Sequence, residues 1–205
     1  FQGREAKLLP QEYARALREW CDQHDVELVF DEIQSGFGRT GKLFAFEHLS
    51  IVPDMVCCGK GISSSLPLSA VIGKSKYLDL YGPGEMTSTH TGSPLPVVAS
   101  SVSIDVLFEE KLLENAANVG KYLEEQLKKI TEPYQQKIDV GGIGLVYVLL
   151  FFDNRKNLNP DRETAFNFCE SALYSGNLFF APVGKGNSAI KFCPPLCINK
   201  EAIDD

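Results

Sequence analysis

Val26-Glu27-Leu28-Val29-Phe30-Asp31-Glu32-Ile33-Gln34-Ser35-Gly36-Phe37-Gly38-Arg39-Thr40-Gly41 is the stretch that decides the fold. Val26 to Phe30 is a short run of β-branched, aromatic and aliphatic residues, which predicts a buried strand. It ends in two acids, Asp31 and Glu32, followed by a glycine-rich loop. A second apolar run, Asp54 to Cys58, ends in Gly59-Lys60-Gly61. Two parallel strands are therefore predicted, each delivering a charged residue at its C-terminal end. Open α/β sheets build their sites along that edge.

Upstream, Pro10 to Asp25 reads as an amphipathic helix, with Pro10 in the first turn and Tyr13, Leu17, Trp20 and Cys21 at helical spacing. A helix feeding directly into a strand is a step of a layered α/β fold. Downstream, Phe44 to Leu49 reads as a short helix, Leu68 to Gly73 as a strand, and Tyr77 to Tyr81 as a helical turn ended by Gly82-Pro83-Gly84. A long helical tract opens near Ser93, a good N-cap, with Pro94 at its first position and a stripe of Val97, Val98, Ser101, Ile104, Leu107 and Phe108. Leu112 to Ile130 is a second helix, apolar along Leu113, Ala116, Val119, Leu123 and Leu127. Val140 to Phe152 is predicted to be one buried strand. Asn159, as N-cap, and Pro160 open a helix to Tyr174; strands follow at Asn177 to Pro182 and Ala189 to Cys193, and Asn199 starts a last helix.

The chain has 205 residues, 44% apolar and 23% charged, which is ordinary globular material with no disordered or low-complexity tract. A net charge of −7 argues against a nucleic-acid surface. No apolar run is long enough to span a membrane. Phe1-Gln2-Gly3-Arg4 carries neither an initiator Met nor a signal pattern, so the start reads as an interior point of a longer chain. The six cysteines, Cys21, Cys57, Cys58, Cys169, Cys193 and Cys197, lie mostly in apolar or helical context. They read as buried free thiols of a cytoplasmic protein, without the spacing of a metal site.

The wording from Asp31 to Gly41, then Pro53-Asp54, Gly59-Lys60-Gly61, Ser88-Thr89-His90-Thr91-Gly92-Ser93-Pro94 and Pro194-Pro195-Leu196 resembles the class III (ornithine/4-aminobutyrate/acetylornithine type) pyridoxal-phosphate-dependent aminotransferases of fold type I. The resemblance covers nearly the whole chain. It implies an α/β fold with part of a large, mainly parallel cofactor domain at 1–98 and a smaller C-terminal α+β domain at 99–205. It also implies pyridoxal 5'-phosphate as cofactor. An acid and a lysine on adjacent strand ends suit that cofactor: the lysine amine forms a Schiff base, and the carboxylate keeps the pyridine nitrogen protonated so that the ring accepts electrons.

Carried over by position, Lys60 is the Schiff-base lysine, an internal aldimine whose freed amine moves the substrate proton. Asp31 faces the pyridine nitrogen, and Gln34 lies near the phenolic oxygen. Thr89 reaches across a homodimer interface to the phosphate held by the other subunit. Without that context, Lys60 is a surface-loop lysine, Asp31 a turn or capping acid, and the run around Thr89 a loop leading into a helix. Glu32 admits a structural role, His90 a packing role, and His24 and His48 structural or exposed ones. Gly36, Gly38 and Gly41 formally match GxGxxG, yet they come too late after the strand and open no long helix, which excludes a dinucleotide turn. Lys191 stands where the family usually carries an arginine that grips the substrate carboxylate with two parallel bonds; lysine keeps the charge and loses the fork.

The resemblance implies ping-pong transamination between an amine or amino acid donor and a keto acid or aldehyde acceptor. The nearest alternatives are an aminomutase or racemase using the same Lys and Asp, and a non-catalytic half-subunit acting as a dimer partner. The phosphate cup, the aromatic that stacks on the ring and much of the substrate pocket belong, in the family, to a half that precedes the segment around Gln2-Gly3. The fragment alone is accordingly expected to be inactive.

Overall fold

The computed structural model describes residues 5–154, 156–176 and 178–205. Phe1–Arg4, read above as interior to a longer chain, and Asn177, the first residue of one expected strand, lie outside the described residues. The chain forms two compact units, Leu9–Leu113 and Glu114–Asp205 with residues 5–8.

The first unit opens with helix α1 (Gln11–His24), which stops where Asp25 turns left-handed at φ 53° and donates its N–H to Cys21 O. Asp tolerates that conformation better than a bulkier residue. The buried side of α1 is Ala14 and Cys21, whereas Tyr13 and Trp20, expected on the apolar face, are half exposed. Trp20 instead stacks on His24 at 4.3 Å, one turn on.

Strands β1 (Val29–Asp31) and β2 (Met55–Cys58) pair in parallel, Val29 opposite Met55 and Asp31 opposite Cys57. Strand β3 (Ala70–Gly73) adds antiparallel to β2. The expected burial of the first strand holds for one face only: Leu28 turns in, while Val29 is 46% exposed. Among the described residues β1 has a neighbour on one side only. A 3-10 turn at Ala45–Leu49 precedes β2, and the short helix α2 (Ser75–Leu78) follows β3, earlier than expected.

Helix α3 (Pro94–Glu109) begins at the expected place, but the Ser93 side chain makes no capping bond. The predicted stripe is not a buried face: Leu107 is buried, whereas Val97, Val98 and Phe108 are exposed. Valine and leucine are spread around α3, so no single stripe distinguishes inside from outside.

Helix α4 (Leu112–Thr131) leads into the second unit, and its expected face holds, with Ala116, Val119, Leu123 and Leu127 all buried. The stretch expected to be one strand is a hairpin, β4 (Ile138–Ile143) and β5 (Val146–Phe151). Its loop is Gly144-Leu145, with positive φ at Gly144 alone, the pattern of a type II′ turn. Helix α5 (Arg162–Gly176) starts later than expected. Asp161, not Asn159, caps it by accepting the Thr164 N–H at 3.0 Å. Pro160 instead forms an antiparallel bridge with Phe152.

Strands β6 (Pro182–Val183) and β7 (Ala189–Phe192) complete an antiparallel sheet of order β4-β5-β7-β6. The strand expected up to Pro182 is thus reduced to its last residue and Val183. In the closing helix α6 (Glu201–Asp204), Asn199 accepts the Ala202 N–H at 2.9 Å. Leu123 and Leu127 of α4, Ala165 and Cys169 of α5, and Tyr147, Leu149 and Phe151 of β5 form one core. Each such leucine contributes about 1.5–3 kcal/mol by leaving water. α4 also lies directly on the hairpin turn: a Cβ at Gly120 would sit 2.0 Å from Gly144 O.

Candidate active site

The parallel pairing of β1 and β2 sets the site. With Asp31 opposite Cys57, the chain after β2 reaches Lys60 beside the chain after β1. Lys60 opens a 3-10 turn (Lys60–Ile62), is exposed, and has φ +42°. A non-glycine residue held left-handed costs about 1–3 kcal/mol and persists only where its surroundings impose it. The surroundings are visible. A Cβ at Gly59 would lie 3.2 Å from Ile33 Cγ2, and one at Gly61 3.1 Å from Phe37 Cβ. The lysine turn is seated between two side chains of the loop that follows Asp31, and both would crowd a Cβ at the flanking positions. Asp31 is exposed, and its Oδ1 accepts the Ile33 N–H at 2.9 Å. Gln34 is half-buried in the same loop. Asp31, Gln34 and Lys60 are thus carried by two loops in direct contact.

Glu32 is 2% exposed. Its Oε1 accepts the Phe46 N–H at 2.9 Å, and its Oε2 accepts the Ala45 N–H at 3.1 Å together with the Ser35 hydroxyl. One carboxylate therefore ties both ends of the 33–44 excursion. Behind it, Phe44 stacks on Phe46 at 5.6 Å and meets Phe37 edge-on at 5.7 Å. The excursion, with Gly38 and Gly41 at positive φ, forms turns rather than a helix start, in keeping with the exclusion of a dinucleotide fold. His48 Nε2 lies 3.1 Å from Thr40 O and closes the same loop.

At the opposite end of the strands, Asp54 is buried and fixes their register. Its carboxylate accepts the Leu28 N–H at 2.9 Å, Arg18 Nη1 at 2.7 Å and Lys74 Nζ at 3.1 Å. The Leu28 N–H, then Arg18 and Lys74, hold it well below the usual carboxylate range against the cost of burial. Cys58 is pushed up to about 11, by burial first and then by the charges of Cys57 and Glu32, so it is an unreactive thiol. Sequence reasoning noted the Pro53-Asp54 pair and missed its ion network, whose partners lie 36 and 20 residues away.

Thr89 lies in a separate, exposed turn, in which Thr91 donates its N–H to Ser88 O at 3.1 Å. His90, expected to pack, is exposed in the same turn. α3, which follows, packs against the Lys60–Ile62 turn. Lys191 belongs to the second unit, on β7 opposite Val148. It lines an open cavity of about 880 Å³ with Leu127, Phe168, Phe180 and Ile203. Cys193 and Cys197 are exposed rather than buried, since both fall after β7 has ended; Cys57 is half-buried. None of the six cysteines forms a disulfide. No described helix is long and apolar enough to cross a membrane.

A lysine turn seated on an acid-bearing loop, at the C-terminal ends of parallel strands, is the arrangement of a fold-type-I pyridoxal-phosphate enzyme. The sequence profile of the family "Aminotransferase class-III" matches residues 6–205, and the chain belongs to that family. It is 36% identical over 196 residues to ornithine aminotransferase 2 of Staphylococcus aureus, covering 95% of this chain and 46% of that protein. It is 33% identical over 195 residues to an alanine/serine racemase of Pyrococcus horikoshii, covering 95% and 40%. A solved structure of Plasmodium falciparum ornithine delta-aminotransferase superposes with a TM-score of 0.87 at 30% identity, covering 99% of this chain and 50% of that one. The chain spans about half the length of the curated relatives it matches.

The family's enzymes depend on pyridoxal phosphate, and the residues present fit that group. The exposed Lys60 amine and Asp31 carboxylate are donor and acceptor of the right kinds, and the turn between them is one that a Cβ at Gly59 or Gly61 would crowd.

Proposed function

We propose that the chain is the lysine-bearing part of a pyridoxal-phosphate-dependent transaminase subunit. The whole enzyme moves an amino group from an amine or amino acid to a keto acid or aldehyde in a ping-pong cycle. The observation that carries this reading is the seating of the Lys60 turn on the Asp31–Phe37 loop. When bound, the cofactor supplies an electron sink for charge developing on the substrate carbon. Lys60 Nζ would hold the cofactor and would move the proton at the substrate Cα. Asp31, its carboxylate held by the Ile33 N–H, keeps a proton on the pyridine nitrogen. Gln34 would hold the phenolic oxygen. Thr89, exposed in its turn, serves the phosphate of a partner subunit in a homodimer. Lys191 supplies charge for a substrate carboxylate, as a point charge rather than a fork.

In the whole subunit, 1–98 is the second half of the large domain and 99–205 the C-terminal domain. Six cysteines, none in a disulfide, suit a reducing, cytoplasmic setting. The racemase relative favours a second reading, a racemase or aminomutase with the same Lys60 and Asp31 in the same roles.

The test is borohydride reduction of the protein purified from its source at its natural length, followed by peptide mapping. A pyridoxyl adduct on Lys60, absent from Lys60→Ala, is the expected result. An adduct on another residue, or none, would refute the assignment. Conversion to the amine-loaded cofactor spectrum by donor alone separates transamination from racemisation.

A further inference from the structure

Glu32 is a buried ionisable group, next to Asp31, that the reaction above leaves without a task. We propose that it is a positioning residue for the cofactor: its carboxylate sets the conformation of the loop that presents Asp31 and Gln34 and seats Lys60. This inference rests on the preceding functional reading.

The argument follows the chain. Glu32 stands directly after Asp31, and its own N–H continues the β ladder to Cys57 O at 2.9 Å. Its carbonyl accepts the Gly36 N–H at 2.9 Å, and Gly36 is packed so closely that a Cβ would lie 2.8 Å from that carbonyl. The main chain of residues 32–36 is thus a tight turn. Its side-chain anchor reaches the main chain 13 and 14 residues on, at Ala45 and Phe46. Within the turn lie Ile33, whose N–H holds the Asp31 carboxylate and whose side chain meets Gly59, and Gln34. Any shift of the turn therefore changes Asp31, Gln34 and the Lys60 seat together. Sites need such support, because residues that hold a cofactor lose function when they are left loose by a fraction of an ångström.

The carboxylate accepts three donors and donates none: Oε2 takes the Ser35 hydroxyl and the Ala45 N–H, and Oε1 takes the Phe46 N–H. Glutamine has the same shape but cannot satisfy this set. Whichever oxygen its NH₂ replaces, an N–H then faces a backbone N–H, and one buried donor goes unpaired.

The test compares Glu32→Gln, Ser35→Ala and Val148→Ala in the natural-length holoenzyme. Val148 is fully buried in β5 of the second unit and serves as a general destabilisation control. The readouts are the dissociation constant for pyridoxal phosphate, the visible circular dichroism of the bound cofactor, and the melting temperature. Glu32→Gln is expected to weaken cofactor binding about tenfold and to change the dichroic band. Ser35→Ala, which removes one donor and leaves two, moves both readouts in the same direction by about two- to threefold, so the inference stays testable if Glu32→Gln fails to fold. Val148→Ala lowers the melting temperature and leaves both cofactor readouts unchanged. A Glu32→Gln enzyme with a lower melting temperature but unaltered affinity and dichroism would overturn the positioning role while leaving the Lys60 assignment intact. A borohydride adduct that persists in Lys60→Ala would overturn both.

Discussion

Asp54→Asn is the substitution whose cost the structure lets one work out in most detail. Asparagine keeps the shape and can still accept the Leu28 N–H. What it loses is the charge facing Arg18 and Lys74. Arg18 has a side chain only 16% exposed, so its pairing at 2.7 Å is shielded from solvent and worth about 2–3 kcal/mol. Lys74 is 61% exposed, so its pairing contributes about 0.5 kcal/mol or less. Asp54→Asn should therefore destabilise the first unit by about 2–3 kcal/mol, and Lys74→Ala by about 0.5 kcal/mol or less.

The pH dependence has a definite sign. The folded pKa of Asp54 is depressed below its unfolded value of about 3.9, so the unfolded state binds more protons as pH falls through that range. The stabilisation is fully present above about pH 5 and fades below about pH 4, toward the folded value. Urea midpoints of the natural-length protein from pH 3 to 8 (about 1.4 kcal/mol per unit of depression), with hydrogen exchange at the Val29 and Met55 amides, report it. The reasoning is refuted if Asp54→Asn costs no more than Lys74→Ala, or if the difference between wild type and Asp54→Asn stays constant below pH 4.

Three further outcomes follow from single contacts. Gly120→Ala should lower the melting temperature by several degrees and loosen the β4–β5 hairpin in hydrogen exchange, because its Cβ would overlap Gly144 O at 2.0 Å. Asp161→Ala should cost about 1 kcal/mol in urea titration and Asn159→Ala close to nothing, since Asp161 alone of the two caps α5. A maleimide pulse followed by mass spectrometry should label Cys193 and Cys197 first. Cys58 should be labelled only on unfolding, its thiol being buried and held near 11.

Much of this molecule is readable from the amino-acid order, and the reason is local. Asp31 and Lys60 could be singled out because each closely follows an apolar run, Asp31 after Phe30 and Lys60 after Cys58-Gly59, and strand–loop chemistry is written within a few residues. The α4 face, Ala116 through Leu127, was legible because helical spacing and burial coincide there. The hairpin within 138–151 was misread because its turn residue, Gly144, sits inside an unbroken apolar run, and a strand buried on both faces has no alternation to mark its end. The faces of α1 and α3 were misread because spacing says which residues share a side and not what covers that side.

By itself, then, the sequence determined the family and the two strand ends that carry Asp31 and Lys60, since each is a matter of short-range pattern. Only the tertiary structure decided how Lys60 is held. Its left-handed turn is seated against Ile33 and Phe37 of another loop, which would crowd a Cβ at Gly59 and at Gly61. It also decided that Glu32 and Asp54 are anchors, because a carboxylate's role depends on the donors that folding brings to it from 13 to 36 residues away.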